Sequence, residues 1–153
     1  MRYALAAALL ALAATPADAG ETSGSAALAL AALIGPSAPA LTPALKSALA
    51  GMGDGRVASG APIQFTVDSV SCRAGNVDIS LHRCELKFGA RTVTFGGRRA
   101  HEIYATLLEA GVEPDGAAGT IYANAAKVTC EVKPSDVADR AGGGAHCAWA
   151  DDQ

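Results

Sequence analysis

Four cysteines, Cys72, Cys84, Cys130 and Cys147, follow an N-terminus built like an export signal. An even number of thiols delivered to an oxidising compartment reads as two disulfides, the first constraint on any fold. Arg2 gives the leader its positive charge, Tyr3 to Ala14 form its apolar run, and Ala17-Asp18-Ala19 presents the small residues that signal peptidase requires. That run is well short of the roughly 20 residues of a membrane-spanning helix. No cysteine near Ala19 offers a lipid-attachment site. The expected mature product begins at Gly20, is periplasmic or secreted, and has no membrane span.

Loss of the leader removes one base, Arg2, and one acid, Asp18, so the formal charge of −3 is unchanged. A mildly acidic chain lacks the concentrated basic face that a nucleic-acid backbone needs, so nucleic acid is not an expected partner. The remaining length suits one domain with one core. Aromatic side chains are scarce, so Leu, Val and Ile must build that core with Phe65, Phe88, Phe95, Tyr104, Tyr122 and Trp149. Covalent staples gain weight accordingly.

Four cysteines allow three connectivities. The sequential one, Cys72 with Cys84 and Cys130 with Cys147, is favoured because residues 129–132 and 146–149 both read as strands and would align as neighbours. Each bridge would close a short loop, a cross-link worth about 3 kcal/mol in the chain-entropy description. The first bridge carries a condition. A regular hairpin about Ala74-Gly75 would set Cys72 opposite Val77 and roughly 23 Å from Cys84. The chain must therefore bend or bulge between them, and the apolar phase, odd through Leu81 and even from Cys84, points to His82-Arg83.

Composition divides the chain into the leader 1–19, an Ala/Gly/Pro-rich segment 20–60 expected to be helical and peripheral, and a disulfide-stapled domain 61–153. Ala26–Ile34 has strong helix propensity and stops at Gly35-Pro36. Thr42 is a good N-cap with Pro43 behind it, and Leu41, Leu45 and Leu49 share a face. Alternation marks strands at 63–67, 77–81, 84–88 and 92–95, with a tight loop at 89–91. Ala100, Ile103, Tyr104, Leu107 and Leu108 form one stripe on a helix 98–110 that Gly111 caps. Residues 120–132 read as extended but interrupted at Ala123–Ala126, residues 134–140 as a short helix, and 145–150 as a last strand. The expected fold class is α+β: a small antiparallel sheet packed against one main helix (98–110), with an N-terminal helical segment and two disulfides.

No catalytic residue, metal site or cofactor is assigned, since no G-x-S-x-G, H-E-x-x-H, Walker or dinucleotide pattern occurs. His82 with Cys84 and His146 with Cys147 do not follow the spacing of a zinc module. Gly97, Arg98 and Arg99 open the main helix, where outward amides can hold an anion, and Arg83 and Arg91 could add to a basic patch there. His101 and His82 are the histidines available for acid–base chemistry with a neighbouring carboxylate.

The expected function is an exported, non-enzymatic binding module for a protein or envelope polymer, with loops Pro114–Gly119 and Gly142–Gly144 open to contact. The alternatives are a small secreted hydrolase or transferase using His101 or His82, and a structural envelope protein. Small residues at 17 and 19 place processing after Ala19. N-terminal sequencing of the exported protein is expected to start at Gly20, and a chain still starting at Met1 would remove the export assignment.

Overall fold

The computed structural model describes residues 20–54, 60–75, 78–117, 119–133 and 144–150. Strand β1 (Gly20–Ser23) leads into helix α1 (Ser25–Ile34), and helix α2 (Pro43–Gly53) follows. The long strand β2 (Ile63–Gly75) and the hairpin of β3 (Arg83–Phe88) and β4 (Arg91–Gly96) precede helix α3 (Gly97–Ala110). Strands β5 (Asp115–Ala117), β6 (Thr120–Val132) and β7 (Ala145–Ala150) complete the described chain. Every pairing is antiparallel, in the order β1-β7-β6-β2-β3-β4, with β5 joining β6 at residues 120–122.

The expected fold, a small sheet on one main helix, is corrected by this arrangement: among the described residues the sheet has seven strands, and three α-helices accompany it. The strands absent from the expectation are β1 and β5: Gly20–Ser23 and Asp115–Ala117 are too short and polar to show alternation. The expected interruption of residues 120–132 rests on the alanines at 123, 125 and 126, which have weak strand propensity. Yet β6 runs unbroken through them, because Ala123 and Ala125 are fully buried on the ladder with β2. Residues 134–140, expected as a helix, lie outside the described residues, as does the leader 1–19.

The segment 20–60, expected at the periphery, supplies a large part of the core. Ala27, Leu30, Ala31 and Ile34 of α1 and Leu49 of α2 are fully buried, and burying each larger side chain contributes about 1.5–3 kcal/mol. Helix α1 packs across β6 and β7 and against α3, which covers β2, β3 and β4, while α2 lies on α1. Thr42 caps α2 as expected, its Oγ1 accepting from the Leu45 N–H at 3.3 Å. Gly35 allows α1 to settle onto the sheet, since a Cβ there would stand 2.6 Å from Leu49 and 2.8 Å from Phe65. Helix α3 buries Ala100, Ile103 and Leu107, members of the expected stripe, and ends at Gly111 in the left-handed conformation.

Both bridges have the sequential connectivity. Cys72 faces Cys84 across β2 and β3, and Cys130 faces Cys147 across β6 and β7, each with Cα atoms 4.1 Å apart. All four cysteines are fully buried on the helix side of the sheet. Cys84 Sγ lies 3.2 Å from the Ala100 carbonyl oxygen of α3, and Cys147 Sγ lies 3.5 Å from that of Ala27 in α1. A small residue at each helix contact lets the backbone approach the sulfur.

The condition on the first bridge is met differently from expectation. Ile79–Leu81 is a 3-10 turn and not a strand, started by Asp78; β2 ends at Gly75 and β3 begins at Arg83. The phase change falls instead inside β2 and β6. In β2 the buried positions are 63, 65 and 67, then 70, 72 and 74; in β6 they are 123 and 125, then 128, 130 and 132. Pairing of Val67 with Val128 and of Ser69 with Ala126 keeps its register across the switch, so both strands change phase together. Against β7, three steps on β6 from Ala126 to Thr129 match two from Ala150 to Ala148, a β-bulge at Lys127. Lys127 has φ 49°, a left-handed conformation that costs a residue with a Cβ about 1–2 kcal/mol. Lys127→Gly is expected to stabilise the protein by about 0.5–1 kcal/mol, and Lys127→Val to destabilise it by about 1–2 kcal/mol. Chemical denaturation of the disulfide-bonded protein measures both.

Candidate functional site

His82 stands just before β3, opposite the end of the β4 strand that runs directly into α3. Its carbonyl accepts from the Gly97 N–H at 3.1 Å, which ties the start of α3 to the hairpin. The His82 side chain is only 6% exposed. Its Nε2 lies 3.3 Å from the Gly75 carbonyl oxygen, and its Nδ1 lies 3.3 Å from Nδ1 of His101. Tyr104, one turn beyond His101, meets the His82 ring edge-on with centroids 6.0 Å apart.

This network assigns the protons. A carbonyl only accepts, so His82 Nε2 carries hydrogen and, in the neutral ring, His82 Nδ1 is the acceptor. With both rings neutral, His101 Nδ1–H donates to it and His101 Nε2 is the acceptor nitrogen of that ring. Beside the pair, Asp78 Oδ1 accepts from the Ser80 N–H at 2.8 Å. That bond first, and the Ser80 hydroxyl second, hold the Asp78 carboxyl below its ordinary range, with nearby His82 acting in the same direction.

His101 also lines a groove of about 610 Å³ where the three helices meet. Its lining includes the small side chains Ala29 and Ala32 of α1, Ala50 of α2 and Ala105 of α3, together with Leu33 and Thr106 and the charged Asp54, Arg99 and Glu102. Arg99 Nη2 donates to the Leu33 carbonyl at 3.2 Å, joining α3 to α1. Glu102 is held between two guanidinium groups: Oε1 lies 3.3 Å from Arg98 Nε, and Oε2 lies 3.5 Å from Arg99 Nη1.

The residues singled out from sequence are thus partly regrouped. His82 and His101, considered separately there, form one hydrogen-bonded pair. The hairpin register could have shown it: Arg83 opposite Gly96 puts His82 beside Gly97, one helical turn before His101. Of the expected anion seat, the Gly97 N–H is taken by His82 and both Arg98 and Arg99 turn to Glu102. Arg91 pairs with Phe88 at the far end of the hairpin from Arg83, so these two do not form a patch. His146 Nε2 lies 3.3 Å from Glu21 Oε2 on the neighbouring β1. All four cysteines are bridged, and among the described residues no group of three or more His, Cys, Asp or Glu side chains could hold a metal ion. Of the loops expected to be open to contact, Pro114 and Gly116 are exposed, whereas Gly142 and Gly143 lie outside the described residues.

Comparisons with known protein families, with curated proteins and with solved structures find no match. His82→Phe keeps a ring in place but removes the acceptor for His101 Nδ1. Nitrogen NMR of the neutral rings is expected to show His101 as the Nδ1–H tautomer in the wild type and mainly as the Nε2–H tautomer in the variant.

Proposed function

We propose that the protein is an exported, non-enzymatic binding module that receives its ligand in the groove between the three helices. The observation that carries this reading is the state of Glu102. An acid–base pair built on His101 needs a carboxylate directed at the imidazole, whereas Glu102 is committed to Arg98 and Arg99. His82 spends both ring nitrogens on Gly75 and His101, which makes it a positioning group rather than a base. The small side chains that line the groove leave room for an apolar group of a protein segment or envelope polymer, and His101 in the same lining adds a polar ring.

Export agrees with two buried disulfides, which belong to an oxidising, extracytoplasmic setting. Among the described residues no helix is long and apolar enough to cross a membrane. Processing after Ala19 would leave β1 intact from Gly20, the residue that pairs with Trp149. A hydrolase reading keeps one observation in its favour, the place of His101 in the lining of the groove.

Ala105→Trp fills the groove from a partly exposed helical position and separates these readings from a purely structural role. With periplasmic or culture-medium extract at physiological salt, the wild type and the distant surface variant Glu109→Gln are expected to recover the same saturable partner. Ala105→Trp should reduce that recovery about tenfold or more, and His101→Gln should weaken it without abolishing it. Recovery of no partner, or equal recovery by Ala105→Trp, would overturn the proposal.

A further inference from the structure

The face of the sheet turned away from the helices carries a second concave site, independent of the groove. Sheet register sets Arg73 of β2 directly opposite Arg83 of β3 and, on its other side, opposite Tyr122 of β6. On the next rung Ser71 stands between Glu85 and Asn124. Ser71, Arg73, Arg83, Glu85 and Tyr122 together line a recess of about 390 Å³. The Ser71 hydroxyl donates to Asn124 Oδ1 at 2.7 Å, so its oxygen remains available as an acceptor. Gly96, the residue opposite Arg83, leaves room for the guanidinium group: a Cβ at that position would lie 3.2 Å from Arg83 Nη1.

Like charges placed directly opposite each other weaken a sheet. Neither arginine forms an ion pair with a described residue. Glu85, one rung away, offsets one of the two charges and leaves the recess with a single net positive charge in a chain of formal charge −3. A ligand anion seated between the two guanidinium groups would turn the repulsion into charge-assisted hydrogen bonds. Beside it Tyr122, 40% exposed, offers an aromatic ring at the edge of a polar face.

We propose that this face binds an acidic polysaccharide, with a uronate carboxylate seated between Arg73 and Arg83 and the adjoining sugar ring on Tyr122. A carboxylate matches the single net charge of the recess. A densely charged phosphate polymer would meet Glu85 and the acidic remainder of the chain. Ser71, Asn124 and Glu85 along the next rung present the hydroxyl, amide and carboxylate groups that sugar hydroxyls bond.

The test is calorimetric titration of the exported, disulfide-bonded protein with oligogalacturonate, and in parallel with neutral dextran oligomers, inorganic phosphate and duplex DNA. Saturable binding of oligogalacturonate that weakens with salt is expected. Arg73→Gln and Arg83→Gln should each lower the affinity about tenfold or more, the scale of a charged hydrogen bond, and Tyr122→Ser several-fold. Ala105→Trp, which fills the helical groove, should leave it unchanged. Thermal melting supplies the second readout: relief of like-charge repulsion means that Arg73→Gln and Arg83→Gln melt at or above the wild-type temperature. Absence of oligogalacturonate binding, binding indifferent to Arg73→Gln, or equal affinity for phosphate or DNA overturns the proposal. So does melting of both arginine variants below the wild type, which would make the pair part of the fold's support.

Discussion

The antiparallel ladder between β2 and β6 is the interaction on which the remaining structure depends. It runs without interruption of register from the pairing of Ile63 with Val132 to that of Gly75 with Thr120. Each of its strands carries one cysteine that bridges outward, Cys72 to β3 on one side and Cys130 to β7 on the other. The bridges stand seven rungs apart, since Cys72 pairs with Ala123 and Cys130 with Phe65. Both point to the helix side, so each end of the ladder presents a buried sulfur to a helix, α3 over Cys84 and α1 over Cys147. The disulfides close only short loops, with sequence separations of 12 and 17. They therefore lower the entropy of local segments, whereas the long closure between β2 and β6 must be driven by burial of Phe65, Val67, Val70, Val128 and Val132 beneath the helices.

Keeping both cysteine pairs on the helix side requires the coupled phase switch. A strand that alternated strictly from Ile63 would turn Cys72 to the open face, because residues 63 and 72 differ in parity. The switch was legible in the residues themselves: Val67 and Val70 are separated by Asp68 and Ser69, an interval of three in an otherwise two-residue pattern. A strand expected over 63–67 alone does not reach it, and the next change of apolar parity falls at His82-Arg83. In β6 the same switch appeared as an interruption at the alanines. Its sign in the backbone is Lys127, whose left-handed φ no propensity scale would assign to a strand. The caps and the amphipathic stripe were readable because each rests on interactions within one segment: Thr42 at α2, Gly111 after α3, and residues 100–107 along one face. The burial of α1 was not, since an alanine-leucine helix carries no polar face to reveal which side it turns to the core.

The candidate groove has the same division. That His82 and His101 were worth attention followed from their chemistry, but their contact arises from the hairpin register and from the absence of any linker between β4 and α3. His82 has three structural duties. Its carbonyl starts α3, its Nε2 closes the excursion after Gly75, and its Nδ1 orients His101. One buried side chain thereby ties the end of β2, the start of β3 and the first turn of α3 together, so that the groove wall formed by α3 is fixed relative to the sheet.

The two faces of the sheet consequently bear different loads. The helix-covered face holds the cysteines, the valines and the leucines, and its burial supplies the stability of the domain. On the open face side chains are selected little by packing, and the pairs there are polar: Thr66 with Thr129 at 3.0 Å, and Ser71 with Asn124 at 2.7 Å. Each joins groups that can share a hydrogen bond. The pairing of Arg73 with Arg83 breaks this rule on the same face and in the same register. Local strand preference does not account for it, since β3 carries Glu85 only two residues from Arg83 and an acid at position 83 would have satisfied Arg73 directly. A sheet whose covered face already provides a disulfide next to this rung, Cys72 with Cys84, can sustain one repulsive pair without losing register. That covalent neighbour fixes the rung beside the one on which Arg73 and Arg83 stand opposite each other.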